Sequence, residues 1–167
     1  MNSHPTPQQM SLFSDEPPLP LLLFSLRPEW HRRFAEGSKS FEYRRRFFQG
    51  PFCAAIYVSG STRAIAAYAE FGRPIVGRPD DIVELAGVTD EASGANLREY
   101  FGHNAQVMAL PVIRYRVMAP LTLSEIKRNV PNFQPPQSYA YLDRNRSLLE
   151  YLCRHAQWKE VVQSCLH

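Results

Sequence analysis

At 167 residues with 44% hydrophobic side chains, the chain has the size of one domain and enough apolar surface to form a core without disulfide staples. Its net charge is +3; residues 1–20 hold Asp15 and Glu16 but no basic residue, so the remainder carries 19 basic against 14 acidic side chains, most of the bases being Arg. That balance favours polyanionic partners but falls well short of a histone-like excess. Cys53, Cys153 and Cys165 are scattered and form no CxxC pair, the five histidines share no metal-ligand spacing, and the longest apolar run, Leu19 to Leu26, is too short for a bilayer. These features argue against a disulfide scaffold, a metal site and a membrane span. Reduced thiols in a cytoplasmic protein are expected, without a signal peptide or a cofactor.

Residues 1–20, rich in Pro, Gln and Ser and without periodicity, read as a disordered tail. Leu21 to Leu26 is an apolar run of strand length, ended by Arg27-Pro28. Pro28 starts a short helix over Glu29 to Glu36, with Gly37 as its stop and Trp30, Phe34 and Arg33 marking its inner side. Lys39 to Phe48, dense in aromatics and Arg, predicts a second strand and Ala54 to Val58 a third. A Ser-Gly-Ser-Thr turn at 59–62 then leads into a fourth, Ala64 to Phe71. Pro79-Asp80-Asp81 opens a short helix through Leu85, and Asn96 to Phe101 is another helical stretch.

Val107 to Val117 predicts a long strand in which Pro111 requires an edge position or a bulge. Leu121 to Leu123 passes into a helical turn at Ser124 to Lys127. Arg144 to Leu166 predicts a closing amphipathic helix with Leu148, Leu149, Leu152, Ala156, Val161 and Val162 on its apolar face. Short strands separated by short helices, without regular βαβ alternation, indicate an α+β fold. A small, partly closed β-barrel with short helices over its mouth and a C-terminal helix fits best.

The chemistry concentrates in Gly37-Ser38-Lys39-Ser40-Phe41-Glu42-Tyr43-Arg44. On an extended strand Glu42, Arg44 and Arg46 face one way and Phe41, Tyr43 and Arg45 the other. The aromatic pair reads as core, which aims Glu42 and Arg44 at a solvated surface or cleft. Lys39 has the wrong parity and joins them only from a turn, which Gly37 makes cheap by tolerating positive φ. By spacing alone the group fits an exposed cross-strand ion pair no less well.

Gly37, Lys39, Glu42 and Arg44 also match all four defined positions of G-x-K-x-x-E-x-R, placed after a first strand and helix. In this the chain resembles ASCH domains, the activating-signal-cointegrator homology group of the PUA-like fold. The likeness spans residues 21–143, leaving 1–20 as a tail and 144–167 as the C-terminal helix. Leu23 to Trp30 resembles the family's opening strand and helix, and Ala64 to Phe71 its central strand. Pro135-Pro136-Gln137-Ser138-Tyr139 with Tyr141-Leu142 resembles the closing strand of a subgroup described as predicted transcriptional regulators.

The resemblance implies a cleft that receives RNA, DNA or a modified nucleoside. Lys39 and Arg44 would neutralise phosphate, with Arg46 beside them, and Glu42 would hold them in register. Tyr57, Tyr68 and Tyr139 are possible stacking platforms. Some ASCH-type proteins are amidohydrolases on N-acetylcytidine, using a Lys, a Thr three residues later and a distant Glu. Here Lys39 is kept, Glu42 stands at the Thr position, and the distant carboxylate would be Glu91 or Glu70. Losing the hydroxyl nucleophile favours a binding module over this enzyme, although Lys39 with Glu42 could activate a water. Other members are ribonucleases.

In the tail, Gln9-Met10-Ser11-Leu12-Phe13 resembles the bacterial sliding-clamp-binding peptide. Gln9 would bond the groove rim, while Met10, Leu12 and Phe13 supply apolar contact from a flexible tether. The expected partners are therefore nucleic acid and, through the tail, a sliding clamp, with no membrane.

Overall fold

The computed structural model describes residues 18–89 and 94–162. The elements run β1 (Leu21–Leu26), α1 (Pro28–Ala35), β2 (Phe41–Arg44), β3 (Phe52–Val58), β4 (Ala64–Phe71), β5 (Ile75–Gly77), α2 (Pro79–Thr89) and α3 (Gly94–Phe101). They continue with β6 (Val107–Thr122), α4 (Leu123–Asn129), β7 (Tyr139–Tyr141), a 3-10 turn (Leu142–Arg144), α5 (Arg146–His155) and β8 (Trp158–Val162). Among the described residues no helix is long and apolar enough to cross a membrane.

The eight strands of the described residues form one mixed, curled sheet, a half-barrel with the path β2-β6-β4-β3-β1-β7. The pairs are antiparallel except β1 with β3, whose connection carries α1 and β2. Strand β6 is the spine. It pairs with β2 and β5 through its first residues, then with β4 over Val112 to Thr122 and with β8 over Tyr115 to Met118. Pro111 sits opposite the break between β4 and β5, where its carbonyl takes the Gly72 N–H at 2.9 Å. The bulge follows at once, Ile113 being the extra residue between the Glu70–Arg114 and Phe71–Val112 pairs.

Strands β1, β3 and β4 read as continuous apolar runs because both their faces are covered. Leu22, Phe24, Ile56, Ala69, Phe71 and Leu110 fill the barrel interior. The opposite face places Leu23, Ala55, Tyr57 and Ile65 under α4 and α5, against Ile126, Leu148 and Leu152. A third cluster holds Phe41 and Tyr43 against α2 and α3 through Ile82, Val83, Ala86 and Phe101. The path's two end strands, β2 and β7, are joined by side chains instead of a backbone ladder. Phe47, just beyond β2, places its ring 4.6 Å from that of Tyr139 on β7.

Two expectations need correction, and one strand was not foreseen. The second strand is four residues long and bends away after Arg44, so Arg45 and Arg46 are exposed beyond it. Strand β5, only three residues long, had no signal at the sequence level. The closing helix stops at His155, and Trp158–Val162 returns as β8 along β6. The apolar stripe continues past the helix end, but Val161 and Val162 belong to a strand that covers an edge of β6 which the short β2 leaves open.

Candidate functional site

The turn after α1 is made by Gly37, whose φ of +74° is a left-handed value open to glycine at little cost. It delivers Lys39 ahead of β2, which satisfies the condition for Lys39 to meet Glu42 despite its parity. Nζ of Lys39 lies 3.9 Å from Glu42 Oε2, and Nε of Arg44 lies 3.1 Å from Glu42 Oε1. The second contact is not aligned as a hydrogen bond and is therefore coulombic. Lys39 and Glu42 are each only 5% exposed.

Aromatic faces enclose the two cations. Nζ of Lys39 is 4.5 Å from the Tyr43 ring centroid, 4.9 Å from Trp30 and 5.4 Å from Phe34. The Arg44 guanidinium lies 4.7 Å from Phe24 and donates from Nη2 to the Ser25 carbonyl at 2.9 Å. Ser25 in turn donates its backbone N–H to the Ser138 carbonyl at 3.1 Å and its hydroxyl to the Pro136 carbonyl. The Lys39–Glu42–Arg44 cluster thus ties β2 to β1 and to the Pro-Pro-Gln-Ser segment before β7.

Beneath the cluster, His31 Nδ1 and the Tyr115 hydroxyl form a hydrogen bond of 2.7 Å. Burial first, and the nearby Glu42 carboxylate second, push the Tyr115 hydroxyl far above its ordinary range. Burial holds His31 below its ordinary 6.5. The unfolded chain therefore binds the His31 proton more readily than the folded one. The stability this neutral histidine contributes is complete above 6.5 and is lost as pH falls from there through the lowered folded value. Melting temperatures recorded down this range should fall less steeply for His31→Gln than for the parent.

The cluster floors a cleft of about 1180 Å³. Arg27, Arg33, Lys39, Arg44, Arg63 and Lys127 line it against only Glu29 and Glu42, an excess of four positive charges. Trp30, Tyr43, Tyr57 and Tyr100 add aromatic surface, while Asn96, Gln134 and Gln137 add carboxamides. Of the positions singled out from sequence, Lys39, Glu42, Arg44 and Tyr57 meet in this cleft. Arg46 lies exposed outside it.

Tyr68 and Tyr139 also lie outside the cleft. Tyr68 bonds to Cys53 and sits edge-on to Trp158 at 6.0 Å; burial, then that bond, raise its hydroxyl out of the titrating range. Tyr139 packs on Phe47 and Tyr141. Glu70 pairs with Arg114 at 3.3 Å, also away from the cleft. Glu91 and the tail motif Gln9, Met10, Leu12 and Phe13 fall outside the described residues.

Sequence reading overlooked the rim cations Arg27, Arg63 and Lys127, because they come from three distant places: the β1–α1 junction, the β3–β4 turn and helix α4. Arg63 does carry a structural mark, a φ of +45° in the β3–β4 turn, where its carbonyl takes the Leu123 N–H at 2.8 Å. A left-handed conformation costs a branched or long side chain about 1–2 kcal/mol, and such cost concentrates at functional positions. Arg63→Gly relieves it, so the expected result is a melting temperature within about 3 °C of the parent together with weaker polyanion binding.

Comparison with known proteins found no matching family model. A curated ASCH domain-containing ribonuclease from Zymomonas mobilis is 25% identical over 127 residues, covering 75% of this chain and 86% of that protein. The crystal structure of ASCH from Zymomonas mobilis superimposes with a TM-score of 0.73 at 23% identity, covering 84% of this chain and 98% of that one. A serine-to-alanine variant of that protein gives a TM-score of 0.74 at 22% identity, over 85% of this chain and all 100% of the other. This chain therefore has the fold of the Zymomonas mobilis ASCH protein.

Proposed function

We propose that the protein binds single-stranded RNA in the cleft floored by Lys39, Glu42 and Arg44. The observation that carries this is the convergence of six cationic side chains on one concavity. A free nucleoside is neutral and would leave most of that charge without a partner, whereas successive phosphates match it. At about 1180 Å³ the cleft also exceeds the range for a small molecule. The curated ribonuclease relative favours RNA over DNA as the strand.

Lys39, Glu42 and Arg44 form a charge-compensated floor, and the exposed Arg27, Arg63 and Lys127 face the phosphates. Fluorescence anisotropy with a labelled single-stranded RNA should show affinity falling steeply with salt, and a DNA strand of the same sequence should bind less tightly. Salt-independent binding, or preference for a free nucleoside, would contradict this reading.

A second reading, cleavage in the same cleft, is favoured by the relative's ribonuclease activity. Attack of a ribose 2′-hydroxyl on the adjacent phosphorus leaves a 2′,3′-cyclic phosphate and expels the 5′-oxygen, which takes up a proton from water to leave as a hydroxyl. The Glu42 carboxylate would be the base that receives the 2′-hydroxyl proton. Lys39 and Arg44 would stabilise the charge gathering on phosphorus. Incubation with RNA should then give cyclic-phosphate ends, none appearing from a 2′-O-methyl strand or with Lys39→Ala. The amidohydrolase reading gains no such support, since Glu42 is held between two cations where that chemistry uses a hydroxyl.

The tail motif adds a separate element to the proposal, recruitment to a bacterial sliding clamp. Pull-down by the clamp, lost on Gln9→Ala with Phe13→Ala while RNA binding persists, tests it independently.

A further inference from the structure

Helix α3 contributes three residues to one wall of the cleft: Asn96, Leu97 and Tyr100. Leu97 packs into the core beneath. Asn96 and Tyr100 stand four residues apart, on one face and about one turn from each other. Tyr100 is 39% exposed, an unusual state for a ring in a concave site with a core beside it. Its position is fixed nonetheless. The Arg45 guanidinium lies 5.2 Å from its ring centroid, and the Phe101 ring, itself fully buried, lies 5.6 Å away. The Asn96 carboxamide is exposed and has no hydrogen-bond partner among the described residues.

An anchored ring beside an unused carboxamide is the pair of functions needed to hold one nucleobase. The ring offers a π-face to any base. The carboxamide offers a donor and an acceptor side by side, the complement of adenine's N6 amino group and N7. Phosphate neutralisation needs neither group, and the cations of the cleft already supply it.

We propose that Asn96 and Tyr100 form a base-reading subsite on α3, where Tyr100 stacks a base of the bound strand and Asn96 selects adenine by its edge. The subsite rests on the RNA-binding reading and adds sequence preference to it.

The test uses the full chain and short cytidine oligoribonucleotides that carry a single adenosine, uridine or guanosine at the centre. The adenosine strand should bind about 5- to 150-fold more tightly than the all-cytidine strand, the range for one bidentate base contact. Asn96→Ala should bring the ratio of adenosine-strand to all-cytidine affinity to about 1, with no change in the salt slope. Tyr100→Ala should weaken every strand by about 5-fold or more, with Tyr100→Trp restoring binding. Both side chains are exposed, and unchanged melting temperatures verify that the fold is intact. Equal, salt-dependent affinities for all strands would overturn the subsite while leaving RNA binding in place. A preference for adenosine that survives Asn96→Ala, or a preference for uridine or guanosine, would overturn the assignment to Asn96. Failure of the parent to bind any strand would overturn both readings together.

Discussion

Glu42→Ala should lower the melting temperature by about 10 °C, the largest effect expected of any single substitution in the cleft. Glu42 is 5% exposed and lies between Lys39 Nζ at 3.9 Å and Arg44 Nε at 3.1 Å. Removing one member of a buried ion cluster costs about 3–5 kcal/mol, because the remaining charges stay desolvated without their counter-charge. The damage would also spread, since Arg44 holds the Ser25 carbonyl and Ser25 bonds to Pro136 and Ser138. Losing Glu42 thereby loosens the side-chain closure between the two ends of the sheet path.

Glu42→Gln keeps the volume and a polar oxygen facing the two cations but not the charge, and should fall between the parent and the alanine variant. Arg78→Ala serves as control. Its pair with Asp81 is fully exposed, and its loss should leave the melting temperature unchanged. The double variant Glu42→Ala with Arg44→Ala should lose less than the sum of the single losses, as coupled neighbours do. Additive losses would mean that the 3.1 Å contact contributes nothing.

The second large effect concerns binding. Replacing Arg27, Arg33, Arg63 and Lys127 together with Gln should make the plot of log affinity against log salt shallower by about 3 for single-stranded RNA. Each phosphate contact on a single strand accounts for about 0.7 of that slope. The change in stability should be small. Arg27 meets Glu29 at 3.9 Å with both side chains exposed, and Arg63 and Lys127 are exposed as well. Lys39→Ala with Arg44→Ala should also weaken binding, but with a marked drop in melting temperature, because these two residues are part of the packed floor. Rim variants that retained the parental slope would place the strand elsewhere on the surface.

Much of the scaffold was legible in the sequence for identifiable reasons. Arg27-Pro28 and Gly37 bracket α1, and the Leu and Ala runs of β1, β3 and β4 reflect burial on both faces. The spacing of Gly37, Lys39, Glu42 and Arg44 led to the cluster, with the condition on Lys39 stated from parity alone. What parity could not show is how far along a doubly covered sheet the cleft extends. Tyr57 lines it, whereas Tyr68, on the neighbouring strand and the same face, sits opposite Ala55 and bonds to Cys53 beyond the cleft's reach. Tyr139 went to the Phe47 contact that bridges the sheet ends.

The rim was hidden for a different reason. Arg27, Arg63, Asn96 and Lys127 come from four separate connections or helices, and only tertiary folding brings them to one opening. The C-terminal segment shows the limit of periodicity. Val161 and Val162 read as the end of a helical apolar face, yet β6 is long enough to require a further partner over Tyr115 to Met118. A free strand edge is a long-range property that no local pattern records.

Photocrosslinking of single-stranded RNA to the intact protein, with the attached peptides identified by mass spectrometry, tests the cleft most directly. The expected crosslinks fall on Trp30 and Tyr100, the accessible rings that line the cleft from α1 and α3. Crosslinks confined to Trp158 or to the exposed surface around Ile75 and Ile113 would contradict the assignment of this cleft to RNA.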